Sequence, residues 1–167
     1  MEDLLNFLRM RRSIRTFQNK SIPKDQLEAI VDTARFAPTA RNVQPWEFVV
    51  VMDKHKLTEL AGLAENGRFM AQAAAVIAVF SVDTKYYLED GCAATCSILL
   101  AAAALGIGSC WVAGDKKSYC EQVNTLLNVP GDIKLISLIA LGYPQESNAF
   151  KIMAKKELKE LLHWEKF

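Results

Sequence analysis

Apolar positions recur along the chain at two alternating periods. At helical spacing stand Leu4, Leu5 and Leu8; Leu27, Ile30, Val31 and Ala34; Leu57, Leu60, Ala61 and Ala64; and Tyr119, Val123, Leu126 and Leu127. Residues three and four apart share a helix face, so these groups predict helices over 2–11, 23–34, 54–64 and 119–127. Pro23 suits a first helical turn and Pro130 stops the last of the four. Unbroken apolar runs, Phe48–Met52, Ala75–Ser81 and Ile133–Leu141, have the length and composition of buried strands. Asn66-Gly67 breaks the pattern between the first two, and Asp83–Leu88 is a connection. The stretch Asp90–Leu105 predicts a helix of another kind, apolar nearly all round from Ala93 to Ala104. Such a helix must be covered on every side, by its own domain or by a second subunit. Gly106-Ile107-Gly108 then turns the chain into a further short strand, and Lys155–His163 reads as a short basic helix. Helices interleaved with at least four strands place the chain in the α+β or α/β class.

Composition narrows this picture. The 167 residues, 51% hydrophobic and 23% charged, suit one globular domain over 1–167, with no repeat or low-complexity linker. Twenty Lys and Arg against nineteen Asp and Glu leave a formal charge of +1, which argues against nucleic acid or a membrane surface as partner. Residues 1–20 carry charges throughout with no apolar core of a signal peptide, and the apolar stretch 92–105 is too short to span a bilayer. A cytoplasmic location is the expectation. Cys92 and Cys96 share a helix face, but there is no Cys-x-x-Cys and no nearby histidine. Buried, reduced thiols are therefore expected for these two, for Cys110 and for Cys120, and no metal site.

Three stretches carry candidate chemistry. Arg9, Arg11, Arg12 and Arg15 fall within seven positions beside Ser13, a forked cationic set that matches a phosphate. A solvated basic helix end is the alternative. Ala37-Pro-Thr-Ala-Arg-Asn-Val-Gln-Pro-Trp46 is a polar loop between a helix and a core strand. Asn42 and Gln44 offer donor and acceptor together, which suits the edge of a heterocycle; they could equally satisfy their own backbone. Gly106-Ile-Gly-Ser-Cys-Trp-Val-Ala-Gly114 lacks the third glycine of a dinucleotide fingerprint and follows a helix. It allows a backbone to approach a planar ligand, or forms a turn and strand only.

Taken together, four runs resemble the flavin-dependent nitroreductase family: Arg11–Phe17, Ala37–Trp46, Leu105–Trp111 and Leu141-Gly-Tyr-Pro144, in order and over nearly the whole chain. The resemblance implies an α+β fold with a central, mainly antiparallel or mixed sheet flanked by helices, in an intimate homodimer. It implies FMN at each of two subunit interfaces. Arg11, Arg12, Ser13 and Arg15 would hold phosphate and ribityl chain; Pro38, Thr39, Ala40, Asn42 and Gln44 would come from the opposite subunit. Ala113 and Gly114 match the segment whose backbone N–H approaches flavin N5. A second basic phosphate contact falls on Lys155 counting back from His163, or on Lys151 counting forward from Pro144. Arg68 and Gln72 are candidates for the pyrimidine edge, and the insertions that often build a substrate lid are missing. The activity implied is ping-pong hydride transfer from NAD(P)H to a nitroaromatic, quinone or similar small-molecule acceptor. The flavin carries that chemistry, so no side chain is expected to be catalytic. Reductive dehalogenation or substrate dehydrogenation on the same scaffold, a flavin protein without efficient turnover, and a cofactor-free dimer are the alternatives.

Overall fold

A computed structural model describes residues 2–167. The expected α+β class is the one observed. Five helices, α1 (Glu2–Met10), α2 (Lys24–Ala34), α3 (Lys54–Leu63), α4 (Tyr87–Ala104) and α5 (Cys120–Leu126), surround four strands: β1 (Trp46–Val51), β2 (Ala75–Val82), β3 (Gly108–Ala113) and β4 (Ile133–Gly142). The strands form one antiparallel sheet in the order β1-β2-β4-β3. β2 and β4 are its centre, which is why they read as continuous apolar runs with both faces covered.

The sheet separates two packed layers. Leu57, Leu60, Val76, Phe80, Leu135 and Leu138 pack on one side with α3 and α5; Ile30, Ile77, Ile98, Ile107 and Ile139 pack on the other with α2 and α4. The central helix α4 buries Ala94, Thr95, Ile98, Leu99 and Ala102, while Cys96 on its opposite face is exposed and Cys92, Ala93, Leu100 and Ala103 are half-buried. One face of this apolar helix is thus uncovered within the chain. Helix α1 likewise buries none of its residues, and Leu4, Leu5 and Leu8 are exposed. Among the described residues, no helix is long and apolar enough to cross a membrane.

Two local expectations are corrected. The arginine run is a helix end only at Arg9, in the last turn of α1: the helix stops at Met10, and beyond it Ser13 and Phe17 form isolated bridges to Ser109 and Pro144. The two later glycine motifs make this possible. Gly108 lies opposite Gly142 in the β3–β4 register, and an added methyl would strike Ile14 at the first and Phe17 at the second. The run lies extended across this shelf. The basic helix expected over 155–163 is not formed either. Only Leu158–Glu160 makes a single 3-10 turn, capped reciprocally by Glu157 and Glu160. A helix that short needs a surface to pack on, and Leu158, Leu161 and Leu162 are exposed here.

Gly114 ends β3 in close contact with β4. A methyl there would lie 2.7 Å from the carbonyl carbon and oxygen of Ile136, backbone atoms with little freedom to yield. Gly114→Ala is expected to destabilise the protein by about 1–3 kcal/mol or more. Urea denaturation checks it, and an unchanged midpoint would show that this corner is not tightly fixed.

Candidate functional site

The extended arginine run sets the first half of the site. Ile14 N–H donates to the Ser109 carbonyl at 2.9 Å, and Gln145 N–H donates to the Thr16 carbonyl at 3.2 Å. The run is therefore fixed between β3 and the segment after β4. Arg12, Ser13, Arg15 and Thr16 line a cavity of about 180 Å³ there, closed by Pro144, Ala149, Lys151 and one carboxylate, Glu146. Among the described residues, none of Arg11, Arg12, Arg15 and Lys151 forms an ion pair. Forked guanidiniums left unpaired around a small polar cavity suit an oxyanion. Arg11 does not line this cavity, but its charge acts on its surroundings. Burial pushes the Cys110 thiol up from its ordinary value, while Arg15, a hydrogen bond from Ser13 and Arg11 pull it down.

Arg15 also lines a second, larger cavity of about 530 Å³. Its walls include Phe69, Trp111 and Tyr119, and its polar groups include Glu65, Asn66, Lys117 and Ser118. The size and the mix of aromatic faces with a few polar groups are those of a small-ligand site. Its floor is β3, the edge strand. Gly114 N–H donates to the Ile136 carbonyl at 3.0 Å, inside the sheet, whereas the Ser109 carbonyl accepts from outside it. Antiparallel ladders alternate, so Ser109, Trp111 and Ala113 turn N–H and C=O away from β4. The Ala113 N–H therefore faces the open edge while that of Gly114 is already used, and Gly114 serves close packing instead. Tyr119 O–H donates to the Ala113 carbonyl, and Tyr87 O–H to Asp115 Oδ1 at 3.0 Å. Both bonds fix the corner after β3; the second holds the Tyr87 phenol above its ordinary pKa.

The loop residues Pro38, Thr39, Ala40, Asn42 and Gln44 line neither cavity. They sit at the start of α4, where Ala40 and Arg41 border a separate hollow with Thr84, Tyr86 and Asp90. Arg41, Asn42 and Gln44 all have left-handed backbone, with φ of 56°, 57° and 52°. Asn42 and Gln44 are exposed; the Gln44 amide makes only a long bond, 3.4 Å, to the Asn42 carbonyl. The site residues thus fall into two separate groups on one chain.

Other positions differ from expectation. Lys155 is exposed and Lys151 reaches the small cavity, because the bonds of Gln18 and Thr16 to Pro144 and Gln145 tether the chain only shortly before it. Arg68 and Gln72 are exposed, and it is Asn66 of the same 3-10 segment, Glu65–Gln72, that lines the larger cavity. Asn66 is hidden in sequence because Asn-Gly reads first as a turn. All four cysteines are free; Cys110 is buried, but Cys96 is exposed, contrary to the expectation of buried thiols. An apolar groove of about 550 Å³ between α2 and β1, rimmed by Lys24, Glu28, Asp32 and Arg35, lies apart from all these residues.

Comparison with known proteins matches the chain to the model of the nitroreductase family over residues 8–81 and 63–143. A protein of Archaeoglobus fulgidus provisionally named NADH dehydrogenase/NAD(P)H nitroreductase is 34% identical over 100% of both chains. The solved FMN-dependent nitroreductase of Clostridium difficile R20291 superposes with a TM-score of 0.90 at 28% identity, over 98% of this chain and 99% of that one. An iodotyrosine deiodinase of Haliscomenobacter hydrossis is 27% identical over 90% of this chain and 83% of its own length.

Proposed function

Because the chain belongs to the nitroreductase family, we propose that it is an FMN-dependent oxidoreductase, one domain over 1–167, that passes hydride from NADH or NADPH to a small organic acceptor such as a nitroaromatic or a quinone. The observation that carries this reading is the pair of cavities joined at Arg15. The small one gathers Arg12, Ser13, Arg15 and Lys151, whose cations form no ion pair among the described residues, as suits a phosphate monoester. The larger one offers aromatic walls and polar edges to a planar ring.

Bound FMN would supply the hydride acceptance and donation. This chain's residues bind and orient it. Arg12 and Arg15, with Ser13 and Lys151, neutralise and fix the phosphate, Arg11 adding positive field beside them. Asn66 meets a polar ring edge. The outward N–H of Ala113 supplies a donor at the floor, the group suited to the reacting edge of the ring. Trp111 and Phe69 exclude water from the faces they cover.

The second group of residues belongs, in this reading, to the other subunit's flavin. Pro38, Thr39, Ala40, Asn42 and Gln44 lie apart from their own chain's cavities, on a loop beside the uncovered face of α4. A homodimer packed on α4 covers that face and carries the loop to the partner's site. The exposed leucines of α1 and of the C-terminal segment offer further contact area.

The purified protein is expected to be yellow, or to become so with FMN, and to bleach without oxygen on addition of NADH or NADPH. A protein that stays colourless with excess FMN would contradict the reading. The deiodinase relatives support a second one, reductive dehalogenation. Turnover of a halogenated phenol in preference to a nitroaromatic, by the flavin-loaded protein, would favour it.

A further inference from the structure

We infer that Asp90 is a positioning residue of the flavin site: it holds the loop Thr39–Gln44 in the strained shape that the site requires, an inference resting on the FMN reading above. Asp90 is a buried carboxylate, 6% exposed, in the first turn of α4. Among the described residues it has no cationic partner. Both of its oxygens are instead spent on one loop about 50 residues earlier. Oδ2 accepts from the Thr39 hydroxyl at 2.9 Å, and Oδ1 accepts from Ala40 N–H at 3.1 Å. With its proton given to Asp90, the Thr39 hydroxyl turns a lone pair to Gln44 N–H, at 3.2 Å. The carboxylate thereby sets the direction of a two-bond chain that closes the loop upon itself.

The loop needs such a hold. Arg41, Asn42 and Gln44 are non-glycine residues in the left-handed region; asparagine tolerates it, but at Arg41 and Gln44 such a backbone persists only where its surroundings impose it. A buried carboxylate must keep its hydrogen bonds, so Asp90 imposes the loop's shape more firmly than a neutral group could. The placement in the first turn of α4 also suits a negative charge. The Thr39 side chain is consequently occupied within its own chain. What the loop presents outward is the exposed side chains of Arg41, Asn42, Val43 and Gln44 and its backbone.

A double-mutant cycle on FMN affinity tests this. Asp90→Ala and Thr39→Val should each weaken FMN by about tenfold, and Thr39→Val should add little once Asp90 is gone. Thr39→Ser should retain parent affinity. If the two losses simply add, or if Thr39→Ser loses as much as Thr39→Val, the proposal is wrong. Should Asp90→Ala fail to fold, Asp90→Asn completes the cycle, with a smaller loss because one acceptor remains. A general loss of folding is separated by a mixed dimer with Asp90→Ala on one chain and Arg12→Ala on the other. Action through the loop puts both lesions in one site and leaves one FMN bound at parent affinity. Two weakened sites, where a matching Asn42→Ala and Arg12→Ala dimer keeps one tight site, would overturn the loop role. If that control also shows two weakened sites, the cross-subunit reading fails, and the cycle alone still judges Asp90.

Discussion

Arg12→Ala and Arg15→Ala are each expected to weaken FMN binding by about tenfold or more, and the double variant by about a hundredfold if the losses add. A hydrogen bond from a guanidinium to a phosphate is charge-assisted and contributes roughly 1.5–3 kcal/mol. Here neither arginine has a competing carboxylate partner within the described residues, so that contribution is not divided with an internal ion pair. Arg15 borders both cavities and lies 5.8 Å from the Phe69 ring centroid, so its loss also loosens the wall between phosphate and ring. Glu146 is the opposing charge, and Glu146→Gln should tighten binding slightly. Lys151→Ala should weaken FMN while Lys155→Ala should not, because only the first lines the small cavity. Fluorescence titration of FMN measures all of these. Parent affinity in both arginine variants would remove the phosphate assignment.

Much of the fold was legible because burial writes itself into periodicity. The apolar runs of β2 and β4 and the i, i+3, i+4 sets of α2 and α3 are direct consequences of which faces are covered. The arginine run was legible as chemistry but not as shape. Its extended path depends on two glycines that meet only when β3 pairs with β4. The helix expected over 155–163 has the right spacing, but spacing alone does not supply a surface to pack on. Asp90 carried no signal at all. In sequence it is one charge at the start of an apolar helix, and its partners Thr39 and Ala40 become neighbours only in the folded chain. Lys151 was one of two lysines the sequence could not choose between, because position along the chain does not tell which of them faces a cavity, and Asn66 was masked by the Asn-Gly turn signal.

Asn42→Ala is expected to weaken FMN by about tenfold while costing the flavin-free protein only about 1 kcal/mol, since alanine tolerates the left-handed backbone at this position (φ 57°) less well than asparagine. Asn42 is exposed on the loop and belongs to no core cluster, so its removal leaves the core intact. In the two-subunit reading its amide meets the partner's flavin while the partner's arginines hold the phosphate. A ligand that touches both subunits binds the dimer better than separated chains, and so stabilises the dimer by linkage. FMN should therefore lower the concentration at which the dimer dissociates, and Asn42→Ala should reduce that effect.

The measurement that bears most directly on this arrangement is an FMN titration of a mixed dimer, Asn42→Ala on one chain and Arg12→Ala on the other. Each site draws its loop from one chain and its arginines from the other, so one site carries both lesions and the other carries neither. The account predicts one FMN per dimer bound at parent affinity and one bound far more weakly. Two sites weakened alike would mean that each subunit holds its flavin alone, contradicting the shared site.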